Sequence, residues 1–129
     1  DMFPDRYKNG AFIAFHGSTN RSPYPQAGYV VGFIPFSDGL PSGKLEIFAD
    51  GFAQVEVIKE MKDAKYRPMG LAEGPDGSLY ISDSKKGKIW RVLYTADKTS
   101  FSDENLKEME LREYLPNIKT PTEFDDIVK

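Results

Sequence analysis

The chain has 129 residues, 17 Lys and Arg against 20 Asp and Glu for a formal charge of −3, 40% hydrophobic and 13% aromatic residues, and no cysteine. That is one domain's length with enough apolar material for a core, which excludes a disordered tail. The missing cysteines exclude disulfides, thiolate metal sites, cysteine nucleophiles and c-type haem attachment within this stretch. The acidic balance argues against a nucleic-acid surface, and no apolar run is long enough to span a membrane.

Residues 11–16 follow Asn9-Gly10 and read as a short aromatic strand. Residues 29–36 are rich in Val and Phe. Residues 44–49 alternate Leu45, Ile47 and Ala49 against Lys44, Glu46 and Phe48. Between the last two strands, residues 37–43 are turn chemistry, with Gly supplying positive φ and Pro fixing it negative. In residues 54–65 Val55, Ile58 and Met61 recur at spacing three and predict one or two helical turns. Residues 70–73, 79–83 and 88–94 form another antiparallel set, joined by Pro75-Asp76-Gly77 and Lys85-Lys86-Gly87, both suited to tight hairpins. Beyond Asp97 the composition changes. Residues 1–98 hold 13 basic and 12 acidic groups, whereas 99–129 hold 4 and 8. In that second part Ser102 precedes Asp103 and Glu104, while Leu106, Met109 and Tyr114 share a side before Pro116, which predicts a short acidic helix. Residues 117–129 read as a linker or docking tail. The chain therefore divides into a β part, 1–98, and an acidic helix with a tail, 99–129.

The β part repeats weakly. Gly10-Ala11-Phe12-Ile13-Ala14-Phe15-His16 with Gly28-Tyr29-Val30-Val31 parallels Gly77-Ser78-Leu79-Tyr80-Ile81-Ser82-Asp83 with Gly87-Lys88-Ile89-Trp90. Strand units recurring at this distance suggest blades of a β-propeller. A propeller closes with roughly 4 to 8 blades, and this chain has material for about two. The fold class expected is thus all-β, about two propeller blades with a short C-terminal helix and tail, as a piece of a longer polypeptide. A small complete sandwich is the alternative.

The run Phe3-Pro4-Asp5-Arg6-Tyr7-Lys8-Asn9-Gly10-Ala11-Phe12-Ile13-Ala14-Phe15-His16-Gly17-Ser18-Thr19-Asn20-Arg21 resembles the quinoprotein glucose/sorbosone dehydrogenase family. So does Arg67-Pro68-Met69-Gly70-Leu71-Ala72-Glu73-Gly74-Pro75-Asp76-Gly77-Ser78-Leu79-Tyr80-Ile81-Ser82-Asp83. The His16-Gly17-Ser18-x-Asn20-Arg21 block is the more specific; the Pro75 to Tyr80 motif occurs in many propellers. The resemblance covers residues 3 to about 94. It implies the closing blades of a six-bladed propeller that binds pyrroloquinoline quinone (PQQ) and oxidises a sugar hydroxyl with the help of calcium. It also implies a periplasmic or extracellular location, the remaining blades of the parent chain as partners, and a possible cytochrome c electron acceptor. The catalytic His and the calcium ligands would lie on blades absent here, so the chain alone should be inactive, and with its open blade faces it could self-associate.

Three residues carry the cofactor expectation. PQQ bears carboxylates, for which the guanidinium fork is the natural partner. Asn20 and Arg21 lie in the loop leaving one strand, and Arg67 precedes another. Each has a plainer reading: a turn-forming amide for Asn20, a solvated loop charge for Arg21, a surface ion pair for Arg67. Met69 stands where some relatives have a second Arg. His16 is expected to order its loop rather than act as a base, Asp83 to close a strand end by hydrogen bonds, and Trp90 and Tyr94 to pack. A non-catalytic propeller module or a calcium-dependent lactonase-type propeller is the competing function, but neither accounts for the His16 to Arg21 block with a downstream Arg67-Pro68.

Overall fold

The computed structural model describes residues 2–112 and 118. Seven strands form two antiparallel sheets. In the first, β1 (Gly10–Phe15) pairs with β2 (Val30–Ser37), and β2 pairs in turn with β3 (Leu40–Pro41) and β4 (Glu46–Ala49). In the second, the order is β5 (Pro68–Glu73), β6 (Leu79–Asp83), β7 (Ile89–Val92). One helix, α1 (Asp103–Leu111), lies against β4. Among the described residues the fold is mostly β-sheet, with no closed barrel. Tyr114, Pro116 and most of the 117–129 tail lie outside the described residues.

Strand patterning explains why these segments pair. In β6 Leu79, Ile81 and Asp83 are buried while Tyr80 and Ser82 are less so, the period-two signature of a strand with one face on the core. In β2 four successive residues, Val30 to Phe33, are buried, as befits a strand with neighbours on both edges and material on both faces. Val31 of the first sheet packs with Leu79 and Ile81 of the second and with Phe52, which makes the contact between sheets the main core. Phe3, Tyr7, Phe12 and Phe48 extend it, the Phe12 and Phe48 rings meeting edge to face at 4.8 Å. Trp90 closes its far side, edge to face on Phe52 at 5.0 Å and Tyr66 at 5.2 Å. At the N-terminus Arg6 grips Glu46 of β4 with both nitrogens, at 2.8 and 2.6 Å.

The residues equated by the internal repeat occupy the same register. Phe15 pairs with Val30 as Ser82 pairs with Ile89, and Ala14 with Val31 as Ile81 with Trp90. In the turn ahead of β6, Gly77 N–H donates to Gly74 C=O at 2.9 Å. There Asp76 accepts the Ser78 N–H and O–H, and these donors, helped by Arg91, hold its carboxyl down at about 2.

Two local expectations are refined. Residues 54–65 contain one 3-10 turn, Met61–Asp63, within the one or two helical turns expected, but the spaced apolar residues do not form its buried side. Ile58 alone of the three spaced apolar residues is buried, while Val55 and Met61 face solvent. The segment is held by hydrogen bonds instead, Asp63 accepting the backbone N–H groups of Lys59 and Glu60 at 3.1 and 2.9 Å. Within the 37–43 turn, Leu40–Pro41 forms the short β3, because Ser37 and Phe36 extend far enough to pair with it.

Ile58 packs at 1% exposure with Tyr29, Ala53 and Ala64, whereas Leu40 is 69% exposed. Ile58→Ala is expected to lower unfolding free energy by about 2–5 kcal/mol, and Leu40→Ala to leave it within about 0.5 kcal/mol. Urea midpoints of the two variants check both.

Candidate anion-binding site

The end of β1, the start of β5 and the end of β6 meet at one corner, and Arg67 joins them. Its Nε donates to His16 C=O at 3.0 Å and its Nη2 to Gly17 C=O at 3.1 Å. Nη1 reaches Met61 Sδ at 3.0 Å, and the guanidinium lies 5.4 Å from the Tyr29 ring centroid. Beyond these contacts Nη1 and Nη2 each keep an N–H. The Arg67 backbone N–H donates to Asp83 Oδ1 at 2.7 Å, and Asp83 also accepts the Lys86 N–H. Burial alone would raise the Asp83 pKa, but these backbone donors outweigh it and hold the carboxyl below its ordinary value. His16 bonds Ser84 Oγ through Nε2 at 2.6 Å, linking the two sheets. Burial, then the Arg67 charge, lowers its pKa, so the ring is neutral at pH 7.

The loop after β1 is folded on itself. Ser18 N–H donates to Ala27 C=O at 2.8 Å, Ala27 N–H to Ser18 Oγ at 2.9 Å, and Gln26 N–H to Ile58 C=O at 2.7 Å. Its neck requires unusual backbone. Gly17 has φ +113°, and a Cβ there would stand 2.5 Å from the Tyr29 ring. Tyr29 itself has φ +62°, is fully buried, and its hydroxyl has no partner among the described residues. Burial raises that hydroxyl's pKa against the opposing pull of Arg67.

Two adjoining clefts open here. The larger, about 840 Å³, is lined by Asn20, Arg21, Lys59, Glu60, Met61 and Lys62 among others. The smaller, about 340 Å³, is lined by Met61, Lys62, Arg67, Ser84 and Lys85. Met61 and Lys62 belong to both. The structure thus places Asn20 and Arg21 together in one cleft and Arg67 in the next, with the Met61–Asp63 turn between. Arg21 donates to Pro25 C=O at 3.3 Å, while Lys85 caps the turn by donating to the carbonyls of Met61 and Lys62 at 2.9 and 3.2 Å and to that of Ala64. Among the described residues Glu60 is the one acid lining either cleft, and Lys62 pairs with it at 2.6 Å. The surface that remains is cationic and suits an anion. Sequence reasoning missed Lys59, Lys62, Lys85 and Tyr29. Lys85 was visible only as hairpin chemistry, and nothing in residues 54–65 marked a basic cleft.

A family model described as TrAA12-like matches residues 1–95. The chain belongs to the TrAA12-like family. This corrects the assignment drawn from the motifs: the glucose/sorbosone dehydrogenase family is replaced, because the blocks around His16 to Arg21 and Arg67 to Asp83 both fall within the TrAA12-like match. The TrAA12-like chain is also similar to an uncharacterized protein of Borreliella burgdorferi, 33% identical over 93 residues, which are 71% of this chain. It spans only 23% of that relative's length. No solved structure matches it. Among the described residues no helix is long and apolar enough to cross a membrane.

The depressed Asp83 carboxyl sets a pH dependence. Its stabilising contribution is present above the unfolded value of 3.8 and is lost as pH falls through the lower folded value. Asp83→Asn is expected to be less stable at neutral pH and to lose this part of the acid dependence, as measured by urea midpoints between about pH 2 and pH 7.

Proposed function

We propose that the TrAA12-like chain supplies part of the anion-binding rim of a β-propeller that holds a carboxylate-bearing quinone of the PQQ type, and that the whole protein oxidises a sugar hydroxyl. The observation that carries this reading is the pair of adjoining clefts, lined by Arg21, Lys59, Lys62, Arg67 and Lys85 against one acid that is already paired. The donor chemistry fits the group: guanidinium and ammonium for carboxylates, the amide of Asn20 for a carbonyl or carboxylate oxygen, and the N–H groups that Arg67 retains. When bound, such a quinone supplies a two-electron acceptor for oxidation at a sugar carbon. The residues of this chain bind and orient it; none is assigned as the base. Arg67, fixed on the His16 and Gly17 carbonyls, offers its remaining donors at a set position, and Arg21 and Lys59 bring charge from the adjoining cleft.

In this reading the two sheets are consecutive blades of a six-bladed ring, supported by the shared register of β1–β2 and β6–β7. The other blades, the sugar site and a cytochrome c acceptor belong to the rest of a periplasmic or extracellular protein. Among the described residues no group of three or more His, Cys, Asp or Glu is placed to hold a metal. In this reading calcium is held by other parts of the whole protein.

Calorimetric titration of PQQ into the full chain at low salt tests the proposal. Saturable binding is expected, weakened about tenfold or more in the Arg21→Gln, Lys59→Gln double variant and by raised salt. Absence of binding at millimolar quinone, or binding indifferent to the double variant, overturns it. Equally tight binding of citrate overturns the quinone and leaves a general carboxylate site.

A further inference from the structure

Beside the second sheet stand three cations that no carboxylate meets. Lys65, Lys86 and Lys88 are exposed, and their ammonium groups lie 5.4, 5.8 and 5.0 Å from the Tyr66 ring centroid. Lys88 also lies 5.5 Å from that of Trp90. Among the described residues the ion pairs join Arg6 to Glu46, Lys8 to Asp5, Lys62 to Glu60, Arg91 to Asp76 and Arg112 to Asp50, so none of the three lysines has an acid partner there.

The rings beneath these cations belong to an apolar pocket. Tyr66 and Trp90 wall it with Phe52, Ile81 and Val92, and its volume is about 230 Å³. Sites for small molecules run to roughly 300–1,000 Å³, so this one is sized for a single large apolar side chain. Among the described residues Asp50 is the acid at its margin, and Arg112 approaches that carboxylate at 3.8 Å. An apolar centre with a cationic rim is complementary to an apolar residue flanked by carboxylates.

The sequence holds such a segment, and the structure shows where the chain leading to it leaves the fold. Helix α1 lies against β4 and brings the chain at Arg112 to Asp50, on the margin of the pocket, with Arg112 Nη1 donating to Phe48 C=O at 3.5 Å. Among residues 113–129, Glu123-Phe124-Asp125-Asp126 is the one run that sets an aromatic ring among three carboxylates. Phe124 stands twelve positions beyond Arg112, a span of up to about 40 Å when extended. Both reach and charge therefore favour the chain's own acidic end as the occupant.

We propose that this pocket and its lysines are the docking site for residues 121–128 of the same chain, Phe124 filling the pocket and Glu123, Asp125 and Asp126 meeting Lys65, Lys86 and Lys88. The contact is intramolecular, so the connection from Arg112 sets its effective concentration, in the millimolar range for a short linker. It closes the Trp90 side of the core and offsets the charge of the β6–β7 hairpin, whose Lys85 lines the smaller cleft. The proposal does not rest on the quinone.

Trp90 is the single tryptophan, so its fluorescence in the full chain reads the pocket directly. Acrylamide quenching of Trp90 is expected to rise in Phe124→Ala, in the Asp125→Asn, Asp126→Asn double variant, and in the unaltered chain at raised salt. A synthetic peptide of residues 121–128 with blocked ends, added at millimolar concentration to the full-length Phe124→Ala chain, should restore the protection. That rescue separates lost docking from a lost fold. The same peptide carrying Phe124→Ala should bind about tenfold or more weakly, and Lys86→Gln, Lys88→Gln in the protein should weaken the unaltered peptide likewise. Equal quenching in the unaltered and Phe124→Ala chains, or a peptide effect indifferent to Phe124 or to the two lysines, overturns the proposal. So does protection that is lost when the unaltered chain is diluted, which would make a second copy the source of the segment. No quinone is present, so failure of the cofactor reading would leave this result untouched.

Discussion

The fork of Arg67 on the carbonyls of His16 and Gly17 is the contact on which the two sheets depend at the cleft end. Those carbonyls lie just beyond β1, where the ladder to β2 has ended and backbone acceptors would otherwise need water. One planar cation satisfies both, while its own backbone N–H is held by Asp83 at the end of β6. Three strand ends are fixed by one residue because each supplies a different group: carbonyls from β1, a carboxylate from β6, and the backbone N–H just ahead of β5. A lysine could not reproduce this, since a point charge on a flexible stem lacks the two-pronged geometry. His16 to Ser84 runs beside it as a second tie between the sheets.

Electrostatically the arrangement leaves a surplus. Arg67 meets neutral carbonyls, so its charge is hydrogen-bonded without being neutralised. Lys85 does the same on the carbonyls of the Met61–Asp63 turn. Both cations are thus held in place by acceptors that carry no formal charge, and the field they project into the clefts persists. Contrast Arg6, whose bidentate partner Glu46 cancels its charge and makes it a purely structural tie.

Much of the fold was legible because it rests on local patterns. The alternation of residues 79–83 and the Pro75-Asp76-Gly77 turn are each written within a few residues, and the repeat of β1–β2 in β6–β7 shows as two similar short blocks. Residues 54–65 were legible only in part. Spacing three suggested one or two helical turns and one 3-10 turn is there, but what holds it, Lys85 some twenty positions away and Asp63 bonding back to Lys59 and Glu60, was not. Of the site, Arg67 could be singled out from its motif, but its partners could not, because backbone carbonyls leave no trace in a sequence. The family was misread for a related reason. Pro-Asp-Gly-Ser-Leu-Tyr records a hairpin that many chains need, and such a motif reports turn physics before it reports descent.

Tyr29 shows how cleft and core are joined. A left-handed backbone at a non-glycine residue costs roughly 1 to 3 kcal/mol, and a buried hydroxyl without a partner adds to that. The ring offsets this by full burial against Ala53, Ile58 and Ala64 and by taking the Arg67 guanidinium near its face. It also requires Gly17 opposite, since any side chain there would meet the ring. The neck of the loop that carries Asn20 and Arg21 is therefore set by the packing of one aromatic ring, and the position of Arg67 by the same ring and the two carbonyls it grips. A ligand that pulled on Arg67 would therefore work against core packing and not merely against a surface loop.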